Sequence, residues 1–178
     1  MNNTLKEILS TTLYLLSAVL LAFIVIKFVA QRSDVTGASM NPTLHDKDVL
    51  ILNKIGYHIG EPERFDIVVF PFRNGSNKNY IKRIIALPGE TIQIDFDGNI
   101  YIDGEILEEH YGKEVILKPG NAAEPITLGE DQYFVMGDNR NDSSDSRFDQ
   151  VGIVYRDEIL GKAWVRVWPF KNFGRVDK

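Results

Sequence analysis

Hydrophobic residues are unevenly distributed along the chain. From Ile8 to Ile26 (ILSTTLYLLSAVLLAFIVI) they form a charge-free run of 19 residues. As a helix this run would extend about 28 Å, against a hydrocarbon core of roughly 30 Å. It predicts a transmembrane helix over 8–27, behind a short tail, 1–7. A cleaved signal would carry a shorter apolar stretch, of roughly 7–15 residues, and small residues at its end. Phe28-Val29-Ala30 does not supply that ending, so the segment reads as an uncleaved anchor. Lys6 on one side faces Lys27 and Arg32 on the other, and charge alone leaves the orientation open.

Beyond Arg32 the periodicity shortens. Runs rich in β-branched and aromatic residues, separated by Gly, Pro and Asp-Gly pairs, predict strands at 48–54, 65–70, 80–86, 91–95, 99–102, 132–136 and 162–168. Asp97-Gly98 suits a tight hairpin, and Asp103-Gly104 starts another turn. The expected architecture is mostly β: an antiparallel β-sheet domain over 33–178, preceded by one N-terminal transmembrane helix. The polar stretch from about 103 to 130, with Gly112, Pro119, Gly120 and Pro125, reads as a small β excursion from the main sheet. Of Phe70, Phe72, Trp164, Trp168 and Phe170, most are expected in the core.

With 178 residues, 44% hydrophobic and 25% charged, the chain fits one globular domain plus the anchor. A net charge of -5 lacks the basic face that nucleic-acid binding needs. The absence of cysteine excludes a disulfide framework, a thiol nucleophile and a thiolate zinc site. His45, His58 and His110 lie in no metal-binding pattern, so neither a metal nor a cofactor is expected.

Three segments carry candidate chemistry. In Gly37-Ala38-Ser39-Met40-Asn41-Pro42-Thr43, Pro42 disfavours helical geometry at Asn41, which puts Ser39 on an irregular, extended turn. The small neighbours leave room for a polypeptide, and the Ser39 N–H is a candidate oxyanion donor. Taken alone, a serine there is as readily a turn-capping hydroxyl. In the strand Tyr80-Ile81-Lys82-Arg83-Ile84-Ile85-Ala86, alternation places Lys82 with Ile84 and Ala86. An ammonium among apolar side chains loses solvation, its pKa falls, and the neutral amine becomes a base for a serine hydroxyl. The plainer alternative is an edge cation reaching water along its stem. Arg83 stays protonated and cannot substitute. The third segment, Gly137 to Arg147, is an acidic loop after an apolar strand. Calcium binding fails because its sixth position from Asp138 is Ser143 rather than Gly and its twelfth is Asp149 rather than Glu. Ser143 is placed to orient a lysine amine, and an Asp145–Arg147 pair to hold the loop.

Taken together, these segments resemble the type I signal peptidases, most closely the short Gram-positive bacterial form. Ser39 to Thr43 is similar to the nucleophile box, Arg64 to Phe70 to the structural strand that follows, Tyr80 to Glu90 to the lysine box, and Gly137 to Arg147 to the terminal box. The order and the leading anchor also agree. The resemblance implies a membrane-bound serine endopeptidase that removes signal peptides from secretory preproteins after Ala-x-Ala-like sites. Ser39 would be its nucleophile and Lys82 its general base, with Ser143, Asp145 and Arg147 supporting. It places the tail, 1–7, in the cytoplasm and the catalytic domain outside, in a monomer whose partners are preproteins and the lipid bilayer. Asp138 would have a supporting role. Some Gram-negative members carry a serine where this chain has Gly37, so the oxyanion hole is expected to rest on backbone N–H groups. The competing readings are an anchored β-rich binding module without catalysis, a self-cleaving Ser/Lys protease, and a Ser-His enzyme using His45.

Overall fold

The computed structural model describes residues 3–24, 29–73 and 78–176. The end of the expected span, 25–27, and the outermost terminal residues lie outside them. With no Gly or Pro to interrupt it, α1 runs from Asn3 to Ile24, beginning five residues before the apolar run. Its segment Lys6–Phe23 is long and apolar enough to cross a bilayer, and none of it is buried against protein.

The body is two antiparallel sheets. The larger contains β1 (Ala30–Asp34), β2 (Val49–Asn53), β3 (Ile67–Pro71), β4 (Asn79–Ala86), β9 (Gln132–Met136), β10 (Val154–Tyr155), β11 (Gly161–Trp168) and β12 (Gly174–Arg175). Its order is β1-β2-β11-β3-β4-β9-β10, with β12 alongside β11. The smaller contains β5 (Thr91–Ile94), β6 (Ile100–Ile102), β7 (Glu105–Ile106) and β8 (Ile126–Thr127), in the order β7-β6-β5-β8. The excursion is therefore larger than the expected 103–130, because β5 and β6 pair with β7 and β8 and not with the main sheet. Nor is it only polar surface. Ile92, Ile94, Ile100, Ile102 and Ile116 pack with Ile85, Phe134 and Met136 of the main sheet in one continuous core.

A second cluster joins the turn after β1 to the main sheet: Val35, Met40 and Leu44 pack on Leu50, Leu52, Ile67, Val69 and Ile81. A third, built on Val68, Ile84, Tyr133 and Val135, fills the opposite side. A register irregularity between Ile84 and Ala86 breaks the alternation expected of β4, so Ala86 joins Ile85 in the first cluster while Ile84 stays in the third. The expectation of buried aromatics holds for Phe70 but not for Trp164, Trp168 and Phe170, the last 75% exposed. Ala163 turns into the second cluster, which sends its neighbour Trp164 to the other face of β11.

Candidate active site

Residues 35–44 leave β1 and fold back as a tight turn. Asn41 N donates to Ala38 O (3.0 Å) and Leu44 N to Met40 O (2.9 Å), with Met40 and Leu44 as buried anchors. This is more compact than the extended turn read from the sequence, because those two side chains pull the chain onto the sheet. Gly37 at the turn's entry has φ 90°, a left-handed conformation that glycine adopts without strain, and its N–H is held by Asp46 Oδ1 (2.9 Å). Ser39 is thereby presented to β4, 43 residues further along the chain.

There the Lys82 Nζ lies 2.8 Å from Ser39 Oγ and 3.0 Å from Ile81 O, with the Tyr80 ring centroid at 5.1 Å. Lys82 pairs with Val68 across the sheet and is 2% exposed. Burial pushes its pKa down from 10.5 to about 8, outweighing the charges of Asp145 and Asp138, which pull it up. Ser39 and Lys82 line one cleft of about 390 Å³, with Val35 to Ala38 on one side, Asn79 to Ile81 on another and Asn141 to Ser144 at the end. β9 pairs with β4 only from Arg83 onward, so among the described residues no strand covers 79–82 on the side away from β3.

The loop after β9 closes the cleft. Arg147 grips Asp145 through Nε (2.8 Å) and Nη2 (2.9 Å), and both side chains are buried. Asp145 Oδ2 also accepts from Gly137 N (3.1 Å). Ser143 lines the cleft, but its buried Oγ has no hydrogen-bond partner among the described residues, so the expected Ser143–Lys82 hydrogen bond is not formed. Gly137 admits no side chain: an added Cβ would stand 2.3 Å from Ser143 Oγ and 2.4 Å from Ser39 O.

Four residues at the site had no role in the sequence reading or only a minor one. Arg83 forms a fully buried bidentate pair with Asp138 (2.8 and 2.7 Å), and Thr43 Oγ1 donates to the same carboxylate (2.6 Å), tying β4 to the turn that carries Ser39. Asn139 donates through its backbone N–H to Ser39 O (3.0 Å) and through Nδ2 to Ala38 O (3.1 Å). The Asp-Asn-Arg run after Gly137 was a visible signal, but the partners of Asp138 and Asn139 lie 55 to 101 residues away in sequence. His45 is exposed and lines a different pocket, with Trp168 and Lys171, and it makes no hydrogen bond to Ser39.

The signal peptidase, peptidase S26 family model matches residues 8–168. Similar proteins include a probable signal peptidase I-2 of Synechocystis, 41% identical over 165 residues, covering 90% of this chain and 73% of its own. Signal peptidase I S of Bacillus subtilis is 34% identical over 180 residues, 97% of this chain and 95% of its own. A solved signal peptidase I from Enterococcus faecalis is 35% identical and covers 58% of this chain and 97% of its own, at a TM-score of 0.45.

Proposed function

The chain belongs to the signal peptidase family, peptidase S26, as a signal peptide-removing serine peptidase, and from that membership we propose that Ser39 is its nucleophile and Lys82 its general base. The observation that carries the assignment is the 2.8 Å contact between a cleft serine hydroxyl and a buried lysine amine whose pKa is lowered toward neutrality.

The chemistry runs in two stages. The neutral Lys82 amine takes the Ser39 proton as Oγ bonds to the scissile carbonyl carbon. The oxyanion forms near the Ser39 N–H, which has no protein acceptor among the described residues. Lys82 then gives the proton to the leaving nitrogen, the C–N bond breaks, and the acyl group stays on Oγ. A water, deprotonated by Lys82, attacks the ester, and Ser39 recovers its proton. Asp145 steadies the ammonium formed between these steps; Arg147 holds Asp145, and Ser143 stands in the cleft wall with a hydroxyl that has no partner among the described residues. The uncovered edge of 79–82 lies across the cleft from 35–38, so a precursor segment binds as an added strand and presents alternate side chains to one wall. Small side chains at those alternate positions match cleavage after Ala-x-Ala. The preproteins are its substrates, α1 anchors a monomer with its N-terminus in the cytoplasm, and the catalytic domain lies outside.

Gel-resolved cleavage of a preprotein bearing an Ala-x-Ala site, by the full chain in detergent, tests this. Ser39→Ala and Lys82→Ala should abolish cleavage while His45→Ala retains it. Cleavage at the wild-type rate by either of the first two would remove that residue from the mechanism.

A further inference from the structure

The Ala38–Ser39 peptide is trans, so its carbonyl and its N–H lie in one plane and point in opposite directions within it. The carbonyl side is held twice, by the Asn41 N–H from within the turn (3.0 Å) and by Asn139 Nδ2 from the loop after β9 (3.1 Å). The next carbonyl, Ser39 O, accepts from the Asn139 N–H (3.0 Å). One residue, 6% exposed, thus clamps two successive carbonyls of the nucleophile turn. The N–H side of the same peptide faces no protein acceptor among the described residues, and the neighbouring Gly37 N–H is already committed to Asp46. Gly37 also brings no hydroxyl to the site.

We infer that Asn139 is a positioning residue for the oxyanion hole: by fixing the Ala38 carbonyl it aims the Ser39 N–H at the place where negative charge develops. This rests on the Ser39 and Lys82 assignment. A donor helps only if it is aimed before the reaction begins, since the stabilisation comes from dipoles that need not reorganise. With Asn41 alone, Ala38 O keeps one hydrogen bond made inside a four-residue turn, and the peptide plane is free to rock about it. Asn139 ties that plane to a second element, the loop rooted by Gly137 and Asp145. Its side chain makes no hydrogen bond to Lys82 or Ser39 Oγ among the described residues, so its loss should weaken transition-state binding and leave proton transfer unchanged.

The test is steady-state cleavage of an Ala-x-Ala precursor by the full chain in detergent, comparing wild type with Asn139→Leu, which keeps the branched shape without a donor. The expected result is a fall in kcat of about 10- to 100-fold with KM within about twofold. The pH midpoint of kcat/KM should stay where the wild type has it. Asn139→Ala carries the same expectation with a smaller loss, since water can replace the amide, and it serves if the leucine variant does not fold. A kcat within about threefold of wild type in a folded variant would overturn the inference. So would a loss expressed in KM, or one accompanied by a shifted pH midpoint, which would mean that Asn139 acts through substrate binding or through Lys82. Ser39→Ala and Lys82→Ala are run alongside. If either stays active, the dyad reading fails. If both are inactive while the Asn139 variants match wild type, only the positioning role fails.

Discussion

Burial holds the Lys82 pKa at about 8 in the folded chain, against about 10.4 for an unfolded lysine. Below the folded value both states carry the proton, so the native state bears the full penalty of a buried ammonium, about 3 kcal/mol. Between the two values the unfolded chain binds the proton and the native chain does not. Stability therefore rises with pH across that window and gains nothing further above it. Lys82→Met should stabilise the fold at pH 7 by an amount of that order while abolishing cleavage, and urea unfolding followed by tryptophan fluorescence at pH 7 and at higher pH will read both the gain and its disappearance. For activity the sign is the same: kcat/KM should climb through an apparent pKa near 8. A midpoint where free lysine titrates would remove Lys82 as the base. Gly137 makes a separate demand, since the methyl of Gly137→Ala would meet backbone Ser39 O at 2.4 Å. Activity should fall by at least about a hundredfold through displacement of Ser39, with near-attack geometry lost. A variant that is both active and normally stable would show that the turn yields there.

Among the elements, the loop 137–149 depends on the excursion more than its position in the chain suggests. Asn141 donates to Val115 O (2.9 Å) and accepts from Leu117 N (3.0 Å), Arg147 donates to Lys118 O (3.2 Å), and Asn121 N donates to Arg147 O (2.8 Å). Arg140 pairs with Glu109 at 2.6 Å. The segment 109–121 is thus a strap across the loop that carries Ser143 and Asp145. Gly120 shows how closely it lies: with φ 62°, an added Cβ would come within 2.2 Å of Arg147 O. Arg147 is the joint, since its guanidinium serves Asp145, Arg140 O and Lys118 O together. A lysine cannot reproduce that fork. Arg147→Lys should therefore lower stability and activity together, by less than the roughly 3–5 kcal/mol that outright removal of a buried pair's partner costs, since the charge is kept. Thermal melting and cleavage measured together will test this; an unchanged melting temperature would mean that the strap does not depend on Arg147.

For the protein as a membrane enzyme, α1 is the element that decides location. None of the segment from Lys6 to Phe23 is buried against protein, so its apolar surface needs lipid. An arginine in place of Leu16, near the helix centre, adds about 2.5–3.5 kcal/mol to insertion. Leu16→Arg should move part of the chain from the membrane pellet to the soluble fraction after an alkaline wash. Unchanged partition would show that other surfaces hold the protein at the membrane. The exposed Trp168 and Phe170, in edge-to-face contact at 4.9 Å, are the natural candidates for such a surface.

Two features were readable from residue order because local physics decides them: the anchor from an uninterrupted apolar run and the main strands from β-branched runs. Short strands were not. β1 (AQRSD) is almost wholly polar and is a strand because Ala30 to Asp34 pair in register with Asn53 to Val49. β7, β8, β10 and β12 have two residues each, too few to show any period. The extent of the excursion was missed because pairing partners, not composition, assign β5 and β6 to the smaller sheet. At the site, residue type indicated which groups could react, but the lowered pKa of Lys82, the burial of the Ser143 hydroxyl and the grip of Asn139 on the turn that carries Ser39 came only with the tertiary structure. Each depends on distance and burial between segments 43 to about a hundred residues apart. Desolvation and hydrogen-bond direction are properties of that packing, and no local pattern encodes them.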